Sequence, residues 1–555
     1  MDKYYKLKIG DISENNQITI VDEDRLCYLV HSECRGAKGL RTISKALLRE
    51  FVAYVEKHPN VTPRDARNAL SGTSDIDKYE YGYDSTLVSM AKMSLAKHDI
   101  DKKKGNGDIL DFHKFTNAYR SHLTAIKSKP FLLLAGISGT GKSRIVREFA
   151  FKSCPRYLQD KDGTTPGNYC MIEVKPNWHD STELLGYYSN LNKKYQFTKF
   201  VKFLVKAKMF PKVPFFVCLD EMNLAPVEQY IAEILSILET RKHPRNTETG
   251  EVDMDTVKTE PIIDARYFRE LSEMSNVKNV RTGESFKNNL TDKDIYLKLF
   301  DIETEEDIDE EVGKLHDLTT EGLALPDNVI IIGTVNMDDT THQFSRKVID
   351  RAMTIEMNGG NLRNMFGGSK DLEYLPEGEQ KKWQNAFTRR YVTADEVLEA
   401  HPDVADKLMD ELPSRLEAIN KALKGTPFEV SYRVLNEFTI MAGVMLDDNR
   451  DMELDDIINQ ALNNILLMKI LPRIEGDAEM FALSRDYKER MGITYNNRLE
   501  WLMELAPDIH KEPTEEALDD EESSEENDER QQTAKEKIQE MIDRLNNQEY
   551  TRFWP

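Results

Sequence analysis

The chain has 555 residues, of which 39% are hydrophobic and 31% charged, and a formal net charge of −23. That length holds several domains, and the composition is that of a globular chain. No apolar run reaches the roughly 18 residues of a membrane span, and the acidic balance excludes a protein coated throughout in basic nucleic-acid contacts. The opening residues, Met1-Asp2-Lys3-Tyr4-Tyr5, lack the apolar core of a secretory signal. Cys27, Cys34, Cys154, Cys170 and Cys218 are scattered without a C-x-x-C pair. This suits free thiols in a reducing cytoplasm and suggests no zinc site.

Residues 1–125 precede the informative part of the chain and are expected to form a separate mixed α/β domain. Strands are predicted at 17–21 and 27–30. A helix is predicted over 41–59, where Ile43, Leu47, Leu48, Phe51, Val52 and Val55 share one face. Thr62 or Pro63 opens a second helix. Lys102-Lys103-Lys104-Gly105-Asn106-Gly107 reads as a linker, and 112–126 as a helix entering the next domain. From Arg35 to Lys129 there are 18 Lys/Arg against 11 Asp/Glu, a positive stretch in an acidic chain.

Residues 127–360 read as a nucleotide-binding core. Phe131 to Ala135 is a short apolar strand, and a helix begins near Ile145. Between them, Gly136-Ile137-Ser138-Gly139-Thr140-Gly141-Lys142-Ser143 fits the phosphate loop G-x-x-x-x-G-K-[ST] at every fixed position. Gly136, Ser138, Gly139, Thr140 and Gly141 supply backbone that closes around phosphate oxygens, helped by the helix N-terminus. Lys142 reaches the β- and γ-phosphates, and Ser143 offers its hydroxyl to Mg²⁺. The apolar strand 214–219 ends in Asp220-Glu221, the Walker B pattern. Asp220 is expected to hold Mg²⁺ through water, and Glu221 to polarise the attacking water. A polar insertion follows, at about 243–324, and its acidic run at 303–311 is expected to be a solvated surface. The strand 328–335 ends in Asn336, a polar tip able to orient the same water.

Residues 380–505 have a helical pattern, with a buried helix marked by Ile457, Ala461, Ile465, Leu466, Met468 and Ile470. The acidic, serine-containing stretch 511–530 is expected to be disordered. An amphipathic helix over 534–545 and the aromatic tail Thr551-Arg552-Phe553-Trp554 complete the chain through residue 555.

Together these elements resemble the AAA+ superfamily, within the branch that includes McrB, MoxR and the dynein motor modules. Asp180-Ser181-Thr182-Glu183-Leu184-Leu185-Gly186 resembles that branch's D-L-x-G segment, and Asp220-Glu221-Met222-Asn223-Leu224-Ala225 its D-E-x-N-x-A extension. Pro176-Asn177-Trp178, Leu185-Gly186-Tyr187-Tyr188, the run 469–476 and the Thr551–Trp554 tail look like McrB-like proteins. The resemblance covers about 127–555. It implies an α/β core of parallel sheet flanked by helices, with a helical lid. It places Asn336 at the sensor 1 position. Ser345-Arg346-Lys347-Val348-Ile349-Asp350-Arg351 resembles the stretch whose final arginine reaches a neighbour's γ-phosphate, so Arg351 is the candidate finger and Arg346 the alternative. Phe428 to Arg433 resembles the sensor 2 segment, with Arg433 on the nucleotide. Against the M-N-x-x-D-R signature of McrB, Asn336 and Asp339 match, while Thr340 stands where that family has arginine.

McrB-like membership implies a cytoplasmic GTP- or ATP-driven homo-hexamer that moves on DNA, with a separate McrC-like nuclease subunit and an N-terminal domain that reads DNA, often at a modified base. A MoxR-like protein-remodelling chaperone is the alternative, with residues 1–125 as a protein-docking domain.

Overall fold

The structure, a computed structural model, describes residues 18–23, 27–34, 37–58, 62–70, 87–88, 90–92, 119–160, 163–191, 194–244, 253, 256–273, 318–337, 345–357, 372–449, 452–509 and 532–554. The predicted linker at 102–107 and the acidic runs at 303–311 and 511–530 lie outside the described residues. The chain divides into two compact units, Met1–Ala118 and Tyr119–Pro555.

The first unit carries a three-stranded antiparallel sheet, β1 (Ile18–Glu23), β2 (Cys27–Cys34) and β3 (Ala37–Ser44), followed by helices α1 (Lys45–Lys57) and α2 (Pro63–Leu70). The helix begins at Lys45 rather than at residue 41, because Arg41 to Ser44 pair with Val30 to Cys27. Ile43 is still buried, on the sheet rather than on the helix. Leu47, Leu48, Phe51, Val52 and Val55 form the buried face of α1. Pro63 occupies the first position of α2, where its missing N–H costs nothing, and the Thr62 hydroxyl accepts the Asp65 amide at 3.3 Å.

The second unit opens with α3 (Arg120–Ser128), so this helix belongs with the core rather than with the domain before it. Five strands follow: β4 (Phe131–Gly136), β5 (Tyr169–Glu173), β6 (Phe215–Asp220), β7 (Val329–Asn336) and β8 (Met353–Glu356). They form one parallel sheet in the order β8-β4-β7-β6-β5. The central strands β4, β6 and β7 are near-continuous apolar runs because both faces are covered. Helices α4 (Lys142–Ser153) and α5 (Lys199–Met209) flank the sheet, and α6 (Ala232–Leu238) follows β6. On the open edge, Lys199 and Lys206 of α5 donate to the carbonyls of Met171 and Gly167 at 3.0 and 2.9 Å, satisfying part of an unpaired strand.

The insertion is not polar throughout. Its ends, Pro261–Ile263 and Leu323–Ala324, pair antiparallel, and Ile263, Phe268, Leu318 and Leu323 enter the main core.

The helical region contains α7 (Glu377–Ala386), α8 (Ala394–Ala400), α9 (Ala405–Leu423), α10 (Tyr432–Asp448), α11 (Leu454–Ile465) and α12 (Arg498–Leu505). The expected buried helix at 455–470 is α11, continued by a π-helical turn over Leu466–Ile470. The amphipathic segment at the end is α13 (Ala534–Gln548), opened by a Thr533/Glu536 capping box. Lys537 of α13 pairs with Glu356 of β8 at 2.5 Å, and β9 (Glu475–Asp477) pairs with β10 (Tyr550–Arg552). The C-terminal segment is therefore structurally part of the lid and core. Among the described residues no helix is long and apolar enough to cross a membrane.

Candidate active site

In an open parallel sheet the ligand site lies beyond the carboxyl ends of the strands, and three neighbouring strands deliver polar residues there. β4 ends in the phosphate loop. Gly136 has φ +156°, and a Cβ there would lie 2.2 Å from the Met357 carbonyl oxygen. Gly139 and Gly141 have φ of +86° and +82°, a left-handed backbone that only glycine adopts freely. The loop then runs into the N-terminus of α4, whose unpaired N–H groups favour an anion. The Thr140 hydroxyl donates to the Ile137 carbonyl at 3.1 Å and closes the loop, on which Ser138 is exposed. Lys142 is buried, and its Nζ donates to the Gly136 and Ile137 carbonyls at 3.0 and 2.7 Å.

β6 and β7 supply the second part. Oδ1 of Asp220 accepts from the Ser143 hydroxyl at 2.5 Å and from the Thr334 hydroxyl at 2.8 Å. Ser143 and Asp220 thus bring a hydroxyl and a carboxylate together, the hard oxygen donors that Mg²⁺ takes while keeping most of its water. The residues fit that ion. Glu221 is one of two described non-glycine residues with positive φ, at +51°, a conformation that costs free energy and is held by its surroundings. Its amide donates to Thr334 Oγ1 at 3.0 Å, and its carboxylate accepts from Asn336 Nδ2 at 3.1 Å. The Asn336 carbonyl in turn accepts from Asn223 at 2.8 Å. Glu221 is exposed and aimed by Asn336, an arrangement suited to positioning water rather than to binding metal.

Thr334 is missed by the motif reading as a functional residue, and Asn223, the asparagine of the D-E-x-N-x-A segment, is given no role by it. A signal for Thr334 exists, since it is a polar residue in a strand that is otherwise apolar and buried. Asp339 and Thr340 lie outside the described residues.

The two arginines sit elsewhere. Glu239, just after α6, holds Arg433 at 3.0 Å, with Arg351 and Lys129 each at 3.9 Å. Lys129 precedes β4 in an extended conformation, and Arg351 precedes β8. Both therefore mark the amino ends of their strands. From Lys129 to Gly136 is seven residues of extended chain, about 20 Å. Arg433 is at the end of the sheet opposite the phosphate loop of its own chain. The resemblance expects Arg433 on the nucleotide, whereas the partner it has here is Glu239 at that end. The physical reason is that α10, which it opens, packs against α3 and so reaches the sheet from the amino end: Lys127 of α3 binds Asp448 of α10 at 2.7 Å. Arg346 stacks on the lid residue Phe428, with its guanidinium carbon 4.9 Å from the ring centroid, which leaves Arg351 the more available finger.

Beneath this cluster is a buried charge network. Glu437 of α10 binds Lys129 and, at 2.9 Å, Lys469. Burial pushes the Glu437 carboxyl up, but the two lysines outweigh it and hold the group below the ordinary carboxylate range. Burial lowers Lys469 to about 8, against the opposing pull of Glu437.

Residues 131–293 match the family described as AAA domain (dynein-related subfamily), and residues 385–550 match a domain of unknown function, DUF8727. The second match spans the lid together with α13, in agreement with their packing. A solved structure, described as that of a candidate ATPase from Cytophaga hutchinsonii, aligns at 13% identity over 76% of this chain and 100% of its own, with a TM-score of 0.35, too low to support inference. No curated protein matches the chain.

Proposed function

We propose that this chain, whose core is an AAA+ nucleotide-hydrolase domain of the dynein-related subfamily, is the motor subunit of a ring, completing each active site with Arg351 of the neighbouring subunit. One observation carries this reading. The loop, Asp220, Glu221 and Asn336 gather at the carboxyl ends of the strands, while Arg351 lies at the amino end of β8, with Arg433 beside it. A chain so built cannot bring this arginine to its own γ-phosphate without crossing the sheet, but a rotated copy can present it. Rings form when such head-to-tail contacts close.

Lys142 and the loop amides hold the triphosphate, and Asn336 orients Glu221 against a water. Asp220 and Ser143 would hold Mg²⁺, which would supply neutralising charge at the phosphates. Arg351, with Arg433 next to it, adds positive charge where the transition state of the neighbour's reaction needs it. The base of the nucleotide, adenine or guanine, is set by contacts outside this machinery. The work done is proposed to be DNA translocation in a McrB-like restriction system with a separate nuclease. The sequence resemblance and the positive balance of residues 35–129 support that choice over protein remodelling.

The test is subunit mixing, with ATP and with GTP. Lys142→Ala and Arg351→Ala assemblies are each expected to be inactive alone. Mixed, a Lys142→Ala subunit lends its Arg351 to a neighbour with an intact loop, and turnover returns. Co-assembly without recovery would remove the intersubunit finger.

A further inference from the structure

We propose that Lys469, aided by Arg473, is a positioning residue for Arg351: a clamp carried by the lid that fixes the finger segment on the face offered to the next subunit. This rests on the reading of Arg351 as an intersubunit finger.

Lys469 is 1% exposed, yet its ammonium is not spent on a hydrophobic wall. It donates to the carbonyl oxygens of Asp350 and Ala352 at 2.8 and 2.9 Å, with that of Ile349 at 3.4 Å. These are the residues on both sides of Arg351. The fourth neighbour is Glu437, at 2.9 Å. An ammonium has three protons, and the three carbonyls take them, so Glu437 meets Lys469 by charge rather than by a hydrogen bond. Four residues further along, Arg473 Nε lies 3.1 Å from the Asp350 carboxylate. The clamp therefore grips both backbone and side chain of the same short segment.

Charge neutralisation alone does not account for Lys469. Glu437 already has Lys129, which comes from the core itself. A second lysine on one buried carboxylate adds a surplus cation, and that surplus points at the carbonyls flanking Arg351. The local backbone is built for this. α11 widens into a π-helical turn over Leu466–Ile470 and then tightens into a 3₁₀ turn over Leu471–Arg473. Irregularities of this kind inside helices are frequent at functional sites. On the other side, Met353 pairs with Leu132 in the sheet, so the Arg351 segment is held between the core and the lid. A lid that shifts on nucleotide binding would move the finger with it. Misplacement of a reacting or stabilising group by about 1 Å can cost about 100-fold in rate.

The experiment uses full-length chains in mixed assemblies. The acceptor is Arg351→Ala, with an intact loop. The donors are Lys142→Ala and Lys142→Ala/Lys469→Met, both with Arg351 present, and co-assembly is measured by native mass spectrometry. The plain donor is expected to restore turnover, and the Lys469→Met donor to restore about 10- to 100-fold less. A Lys469→Met chain with Lys142 intact is expected to keep its nucleotide affinity while kcat falls, since its own loop is at the far end of the sheet. Equal rescue by the two donors overturns the clamp and leaves the finger standing. Loss of nucleotide affinity in Lys469→Met also overturns it, because the residue would then be a general support of the fold. Failure of the plain donor overturns the finger and the clamp with it. Should Lys469→Met fail to co-assemble, Arg473→Met in the same donor is read by the same three outcomes.

Discussion

Glu221 is held in a left-handed backbone conformation by the Thr334 hydroxyl and aimed by Asn336, so its carboxylate is placed before substrate arrives. Removing its charge while keeping its shape separates binding from chemistry. Glu221→Gln is expected to bind nucleotide with Mg²⁺ as the unaltered protein does, and to hydrolyse it about 100- to 10,000-fold more slowly. Single-turnover hydrolysis beside equilibrium binding checks this, and near-normal turnover would assign the water to another residue. The residues at this end of the sheet were legible in the sequence because each belongs to a short local pattern: a loop of fixed glycines, or a carboxylate at the tip of an apolar strand. Thr334 and Glu239 were not. Their roles depend on which strand or helix lies beside them, and no local spacing encodes that. Arg433 was legible as a conspicuous arginine, but its position depends on the direction from which α10 meets the sheet.

Three of the five strands of the sheet were legible for the same reason as the loop, while the two outer ones, β5 and β8, end in no such motif and were not. Three apolar runs, each ending in glycine, acid or asparagine, are buried parallel strands with functional tips. The start of α1 was less so, because Arg41 to Ser44 fit either a helical face or an edge of β3, and only the pairing with β2 decides. Packing between elements adds a constraint that the motifs do not state. Gly333 lies in the middle of β7, and a Cβ there would sit 2.4 Å from Met222 Sδ and 3.1 Å from Leu133 Cδ2. Met222 immediately follows Glu221, so β7 sets the seat of the Walker B turn by leaving room for it. Gly333→Ala is expected to overpack this contact and to lower stability by about 1–3 kcal/mol. Thermal or denaturant unfolding measures it. An unchanged midpoint would mean that the Met222 side chain swings away without loss.

At the scale of the whole chain, a boundary between Ala118 and Tyr119 separates a unit with its own sheet and apolar helix face from the hydrolase. None of the residues that build the candidate active site comes from the first unit. Removing residues 1–118 is therefore expected to leave basal turnover and assembly in place. The same removal should abolish DNA binding if the first unit reads the target. Within the first unit, residues 35–118 carry 15 Lys/Arg against 11 Asp/Glu in a chain of net charge −23, a local positive balance on which DNA contacts would draw. Such contacts displace counterions, and log K is expected to fall with log salt by roughly 0.9 per phosphate neutralised. Comparing modified with plain duplex at one salt concentration separates recognition of a base from attraction to the backbone, since the backbone term is common to both. The 119–555 chain, measured beside the full chain at low salt, completes the comparison. Full-length protein that binds neither duplex at low salt would remove target reading from this unit and favour a protein-docking role, and with it a remodelling motor rather than a restriction motor.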